Sequence, residues 1–503
     1  MFKGVKEHFT DRLYVESATL TEYERFIQLE LKISPVIMDP FDARSPREAL
    51  ELVSNLLGCS LTSSEVATYL DKNDELKHLR EQFMIPQVAE LPSTDLKLVD
   101  GTKECIYFAG NSLGLQPKMA KTYIEEELDK WAKTGVHGHV HGTRPWTWAE
   151  NTIEELMANI VGAKGAEVAL MNGLTVNLHL LLLSFYKPTA KRHKVLIEDK
   201  AFPSDHYAVE SQIQFRGYDP KRSMLIMKPR PGEEVLRTED ILETIDKEGD
   251  SIAVVLFSGV QYYTGQLFDM AAITKAGQQK GCYVGFDCAH AVGNAELRLH
   301  DWGVDFACWC SYKAWYFLPI MHVDGMCSLN CSGTFPLRLL GWWGHDLTTR
   351  FQMDNKMDLL PGIGGYRLSN QPVLLVCPLQ ASLEVFAMTS MAALRKKSRL
   401  LTGYLECLIQ LHFYKDDGQA DKPYVHIITP SNPEERGCQL SLSFSVPIAA
   451  VFHELERRGV ACDMREPNVL RVAPAPLYNS FSDVHRFITV LRSVLAASRP
   501  TGQ

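Results

Sequence analysis

The sequence predicts an α/β protein, with a large domain on a mostly parallel sheet and a smaller α+β domain at the C-terminal end. Three observations predict it. Short apolar runs alternate with amphipathic stretches from about residue 100 to 312. Beyond about residue 370 that alternation gives way to long helical patterns and a strand of strictly alternating polarity. The chain has 503 residues, more than one hydrophobic core comfortably holds, so two domains are expected.

Taken in order, KVLIE (194–198), IAVVLF (252–257), CYVGF (282–286) and FACWC (306–310) read as buried strands. TEDILETIDKEG precedes the second of them and carries Ile241, Leu242 and Ile245 on one helical face. FDMAAITKAGQQKG follows it as a helix closed by glycine. Strand alternating with helix implies a parallel sheet covered on both faces. Further on, residues 378–413 read as one long helical region, and QLSLSFSV reads as a half-exposed antiparallel strand. The last helix presents Val484, Phe487, Ile488, Leu491 and Leu495 on one face. The expected divisions are an N-terminal extension over 1–37, for which disorder is one expectation, and a helical segment over 38–95 packing on the small domain. A large domain over 96–365 and a small domain over 366–503 complete them.

Composition narrows the function. Net charge is −9 with no long block of one sign, which argues against nucleic acid as the main partner. The basic runs at 191–194 and 395–397 read as solvated loop or helix faces. Twelve cysteines without a repeating frame suggest reduced thiols in a cytoplasmic setting, and Cys308 and Cys310 would share one strand face. No apolar run is long enough to span a membrane, and the N-terminus has no signal-peptide core. Met38 opens a stretch that would serve as a start, so residues 1–37 are read either as an upstream segment or as a real appendage.

In parallel sheets, ligands bind beyond the carboxyl ends of the strands. Four consecutive strands here deliver polar groups to that edge: Phe202-Pro203-Ser204-Asp205, Ser258-Gly259, Asp287 with His290, and Ser311-Tyr312-Lys313. A lysine amine made nucleophilic by burial and a nearby cation can form a Schiff base with an aldehyde. The commonest reason to build this on a parallel sheet is pyridoxal phosphate, which also needs a carboxylate at its ring nitrogen, a flat group over the ring, and hydroxyls with a helix start for its phosphate. Lys313 supplies the amine and Asp287 the carboxylate. Phe202 or His290 covers a ring face. Leu174-Thr175 stands where a helix begins, and Ser258, Tyr263 and Tyr312 complete a phosphate cup. The alternatives are structural: Asp287 as a helix cap, Phe202 as core and Tyr312 as a packing ring.

The segments YFAGNSLGLQPKM, ALMNGLTVNLHLLLLSF, KAFPSDHYAVESQ, GCYVGFDCAHAVGN, LHDWGVDFACWCSYK, GWWGHDLTTRFQMDNK and RVAPAPLYNSF together resemble the kynureninase family from about residue 60 onward. That resemblance implies the aspartate-aminotransferase fold (fold type I) and pyridoxal 5'-phosphate as cofactor. It also implies hydrolysis of L-kynurenine or 3-hydroxykynurenine to L-alanine and anthranilate or 3-hydroxyanthranilate, in tryptophan degradation and NAD biosynthesis. It makes Lys313 the Schiff-base lysine and base, pairs Asp287 with the pyridine nitrogen, and sends Tyr263 to the phosphate. Leu174, Thr175, Phe202, Pro203, Ser204, Asp205, Ser258, His290 and Tyr312 would line the cofactor. Trp342 and Asn370 would come from the neighbouring subunit of a homodimer. Arg471 would hold the substrate carboxylate, with Ser112, His139 and Asn370 near the rest of the substrate. No metal is implied.

One stretch departs from the family. After Lys313 the family carries small residues rich in glycine and alanine, whereas this chain has AWYFLPIMHVDGMCSLNCSGTFPLRLL (314–340) before the pattern resumes at Gly341-Trp342. A catalytically impaired relative acting as a dimer partner is therefore one alternative expectation. Others are a fold-type-I transaminase or cysteine desulfurase, and a metal site on His137, His139 and His141 if that run were a strand.

Overall fold

A computed structural model describes residues 45–313, 325–329, 338–415 and 422–497. The extension over 1–37 and the stretches 314–324 and 330–337 lie outside the described residues.

The large sheet has seven strands: β1 (Val168–Leu170), β2 (Lys194–Glu198), β3 (Met224–Met227), β4 (Ile252–Ser258), β5 (Tyr283–Asp287), β6 (Phe306–Cys310) and β7 (Gly325–Leu329). Their spatial order is β1-β7-β6-β5-β4-β2-β3. The run from β6 to β3 is parallel throughout, and β7 is antiparallel to both of its neighbours. Strands β1, β2, β4, β5 and β6 are buried over almost their whole length, as expected for a parallel sheet with helices on both faces, while the edge strand β3 is partly open. The expected strands all form. Within the helix at Thr238–Glu248, Ile241 and Ile245 are buried while Leu242 stays half-exposed at the edge of the apolar stripe.

Helices α1 (Pro46–Leu57) and α2 (Ser64–Lys72) share a second core with the C-terminal part of the chain. Leu50, Val53 and Val66 meet Leu401, Leu405, Phe487 and Leu491 there. This core also holds a four-stranded antiparallel sheet of β8 (Val425–Ile427), β9 (Leu440–Phe444), β10 (Asp463–Arg465) and β11 (Val469–Val472), in the order β8-β9-β11-β10.

Four expectations need correction. The helical region at 378–413 is two helices, Val373–Ala387 and Met391–Phe413, bent by 83°. Ser390 starts the second by accepting the Ala393 N–H at 3.1 Å, a side-chain cap that stops the first helix from continuing. The strand β9 is not half-exposed: Ser441 is fully buried, because its hydroxyl donates to Tyr263 O at 2.6 Å and its N–H to Thr429 Oγ1 at 2.8 Å. The basic runs are not simply solvated. Lys397 is buried against Asp74 at 2.7 Å, and Arg192 donates to the carbonyls of Gly249, Ile252 and Lys280. The histidine run forms a 3₁₀ turn over Gly135–His139 in place of a strand, with all three imidazoles exposed. Among the described residues no group of three or more His, Cys, Asp or Glu side chains gathers as metal ligands, and no single helix is long and apolar enough to cross a membrane.

Candidate active site

Sheet register builds the floor of the site. Ser258 and Asp287 end β4 and β5 as direct partners, and Asp287 is level with Cys308 on β6. Shortly past the end of β6 the chain reaches Lys313, which is only 9% exposed. Gly259 donates its N–H to Asp287 O at 2.7 Å, and a Cβ at Gly259 would stand 2.8 Å from Ala291 Cβ. Only glycine permits that close approach, which keeps the two strand ends together.

Lys313 Nζ lies 3.0 Å from His290 Nε2, and 5.4 Å and 5.9 Å from the ring centres of Phe202 and Tyr312. Burial pushes the His290 imidazole well below its usual range, reinforced by the charges of Lys313, Arg471 and Arg465. A neutral imidazole can accept at Nε2 a proton that an amine donates. Burial likewise pushes the Tyr312 phenol up. Its backbone carbonyl accepts the Gly114 N–H at 3.2 Å, which ties the loop carrying Ser112 to the lysine segment.

Asp287 Oδ1 accepts the Ala289 N–H at 2.7 Å. Close to it are two further buried carboxyls. Asp205 stands in the first turn of the helix Pro203–Phe215, where Phe202 is the N-cap and Pro203 pre-sets the helical φ. Burial raises the Asp205 carboxyl well above the usual range, and the neighbouring charge of Asp287 adds to this. Glu198 ends β2. It is pushed up to about 7 by burial, which outweighs hydrogen bonds from the Ser258 hydroxyl and from the Ser258 N–H at 3.2 Å. Three carboxyls in one dry volume cannot all ionise cheaply.

The helix Leu174–Phe185 begins beyond β1 with no side-chain cap at Gly173, so its first N–H groups are open to a ligand, and Thr175 is exposed there. Asn177 braces the approach: its Oδ1 accepts the Asn172 N–H at 3.0 Å and its Nδ2 donates to Asn172 O at 2.7 Å.

Arg471 is 1% exposed on β11. Its Nε and one Nη2 proton go to Asp463 at 3.2 and 2.8 Å, and one Nη1 proton goes to Tyr262 O at 2.9 Å. A guanidinium has five N–H donors. One therefore remains on each terminal nitrogen, a pair suited to gripping a carboxylate end-on. Asp463 also holds Arg465 at 3.0 Å, so one aspartate carries two arginines.

Several expected residues do not join this cluster directly. The Tyr263 ring lies 5.4 Å from Lys200 Nζ and 6.2 Å from the Tyr262 ring, and the Tyr262 ring in turn packs on Phe202 at 5.3 Å. Tyr263 lines an adjoining cavity with Glu198, Lys200 and Asn468, and its link to Lys313 is through Tyr262 and Phe202. His139 is exposed and packs edge-on against Trp146. Trp342 is 48% exposed, donating Nε1–H to Arg350 O at 3.0 Å, and Asn370 is exposed. Sequence reasoning missed Glu198, Tyr262, Asp463 and Arg465. Glu198 had a signal, since like Asp287 it is a carboxylate closing an otherwise apolar strand at the polar edge.

The residues present suit pyridoxal phosphate. Asp205 Oδ1 is buried with no hydrogen-bond partner, a vacancy for a donor. A buried amine, a carboxylate at the strand ends and an uncapped helix start accompany it on the same edge of the sheet. A sheet of this topology with these groups at its carboxyl edge defines a pyridoxal-phosphate-dependent enzyme of fold type I. Residues 106–316 match the class-V aminotransferase family, and residues 394–491 match the kynureninase C-terminal domain. Among solved structures, the cysteine desulfurase CsdA of Escherichia coli superposes with a TM-score of 0.64, covering 84% of this chain and 99% of that one at 14% identity, which is a likeness of fold alone. Kynureninase of Mus musculus is 58% identical over 470 residues, 92% of this chain and 99% of that protein. Kynureninase of Homo sapiens is 58% identical over 467 residues, 91% of this chain and 98% of that protein. The chain belongs to the kynureninase family.

Proposed function

We propose that this chain hydrolyses L-kynurenine to anthranilate and L-alanine, and 3-hydroxykynurenine to 3-hydroxyanthranilate and L-alanine, as a cytoplasmic step of tryptophan degradation and NAD biosynthesis. The observation that carries this is the buried Lys313 amine meeting His290 Nε2 beside the Phe202 ring, on the sheet edge that also carries the buried Asp287 carboxyl, in a chain from this family. The presence of Lys313, Asp287, His290 and Asp205 together supports an active enzyme over an impaired dimer partner.

Bound pyridoxal phosphate supplies the electron sink that allows the Cβ–Cγ bond to break. Asp287 would hold the ring nitrogen. Leu174, Thr175, Phe202, Pro203, Ser204, Asp205, Ser258, His290 and Tyr312 would line the cofactor, with Tyr263 at the outer side. Lys313 would hold the cofactor's aldehyde end, and its Nζ would serve as the base for the substrate α-proton. His290 stands within reach of that same Nζ as a neutral acceptor. Arg471 would orient the substrate through its α-carboxylate, beside the edge-on pair of Phe202 and Tyr262. Ser112 and His139, with Asn370 of the neighbouring subunit, would face the remainder of the substrate. The chain is read as an N-terminal extension (1–37), a helical segment (38–95), a large domain (96–365) and a small domain (366–503).

The deciding assay adds 3-hydroxykynurenine to protein saturated with pyridoxal phosphate and measures alanine and 3-hydroxyanthranilate. Both products in equal amounts are expected, and a keto acid without alanine would indicate a transaminase. Arg471→Lys loses a charge-assisted hydrogen bond worth about 1.5–3 kcal/mol, so kcat/KM is expected to fall about 10- to 150-fold, mainly through KM. An unchanged KM would remove Arg471 from carboxylate binding.

A homodimer with shared sites is part of this proposal. The exposure of Trp342 and Asn370 in one chain supports it. Lys313→Ala and Asn370→Ala proteins, each inactive alone, should regain activity when unfolded together and refolded as a mixture. Absence of recovery, with heterodimers present by mass, would place Asn370 outside the partner's site.

A further inference from the structure

Glu198 is a buried carboxyl with no place in the reading above, and it grips a residue that has one. It ends β2, it is 3% exposed, and its Oε1 accepts both the hydroxyl and the N–H of Ser258. Its other oxygen, Oε2, is buried with no hydrogen-bond partner. Ser258 in turn is the register partner of Asp287. We propose that Glu198 is a positioning residue of the cofactor site, setting whether the Ser258 hydroxyl presents a proton or a lone pair to that site. The proposal rests on Ser258 belonging to the cofactor site.

The hydrogen-bond arithmetic is short. An ionised carboxylate only accepts, so it takes the Ser258 proton and leaves the serine's lone pairs for the site. A protonated Glu198 can donate to Ser258 Oγ, which frees the serine proton to point the other way. Burial pushes Glu198 up to about 7, so both states occur near neutrality. The titratable groups around it are Asp287 on β5 and Asp205 in the helix Pro203–Phe215, with Asp199, Lys200, Lys228, Glu233, Glu234 and Tyr263 around the adjoining cavity. Asp287 and Asp205 oppose ionisation of Glu198 and neither changes its hydrogen-bonding partner.

The test uses holoenzyme of wild type, Glu198→Gln and Ser258→Ala. The absorbance of the bound cofactor and the Kd of pyridoxal phosphate are followed from pH 6 to 9. The wild-type absorbance should titrate with a midpoint near 7. In Glu198→Gln that midpoint should vanish while Kd stays within about fivefold, the worth of roughly one neutral hydrogen bond. Persistence of the neutral midpoint in Glu198→Gln overturns the proposal. Ser258→Ala separates the two ways of failing. An absorbance profile and Kd equal to wild type would take Ser258 out of the cofactor site and overturn both readings. A changed Ser258→Ala beside an unaltered Glu198→Gln overturns the role of Glu198 alone.

A second readout needs no cofactor. An acid whose folded pKa is raised from 4.5 to about 7 contributes stability that is full below the lower value and lost as pH rises through the upper one. Wild-type apoprotein should therefore lose stability between about pH 5 and pH 8 by an amount that Glu198→Gln lacks. Equal pH slopes for the two apoproteins would overturn the buried-acid basis of the proposal.

Discussion

Lys313→Ala should fold, remain dimeric where the wild type is, and lose kynurenine hydrolysis by about a thousandfold or more, since both the anchoring amine and a base contributing 10²–10⁴ disappear together. The lysine's own setting argues for this. It is buried, its Nζ meets a histidine held neutral, and aromatic rings lie within 6 Å of its charge. A surface lysine would have none of these. The measurement is an absorbance spectrum of protein mixed with pyridoxal phosphate, alongside product formation. The band of lysine-bound cofactor should be absent from the variant, and added primary amines should restore part of the turnover. A variant that keeps the band, or keeps a tenth of the activity, would show that another amine anchors the cofactor.

Asp287→Asn should move activity and stability in opposite directions. Removing the charge at the ring nitrogen should lower kcat by about 10²–10³, the usual cost of losing a preorganised electrostatic partner. The same change removes one of three packed carboxyls. Asp205, raised by burial and by the charge of Asp287, then ionises more easily, and the substituted side chain can still accept the Ala289 N–H through its amide oxygen. The apoprotein should melt about 1–3 °C higher at pH 8 than the wild type. Site strain of this kind is the usual origin of such a trade-off. No helix directly follows Asp287, so the helix-cap alternative falls; a lower melting temperature with full activity would mean that Asp287 serves only to cap the turn at Ala289.

Much of the site was legible in the sequence because it is built at strand ends. A parallel strand is an unbroken apolar run, so its end is visible as the first polar residue, and Ser258, Asp287 and Lys313 are found by that rule. Glu198 obeys the same rule, but a charged residue closing a strand is also the ordinary start of a solvated loop, and nothing local separates the two. Other features had no local signal. Asp463 and Arg465 meet Arg471 through the pairing of β10 with β11, and Tyr262 reaches Arg471 from over two hundred residues away. Lys397 and Arg192 look solvated in a basic run. Burial came to them from Asp74 and from a set of backbone carbonyls that lie far away in the chain.

The sequence by itself determined the layers: which runs are strands, which helices lie between them, and which edge of the sheet carries polar groups. Those follow from periodicity and from the rule that buried strands stay apolar to their ends, both of which are local. Only the tertiary structure decided how the groups act on one another. The two unused hydrogens of Arg471 are those that Asp463 and Tyr262 leave over. The carboxyls of Glu198 and Asp205 are raised because a third carboxyl and a dry surround meet them in space. Ser441 is buried because the small sheet leans on Tyr263. Charge interactions and desolvation depend on distance through the fold, not on separation along the chain, and a pattern of residues does not contain that distance.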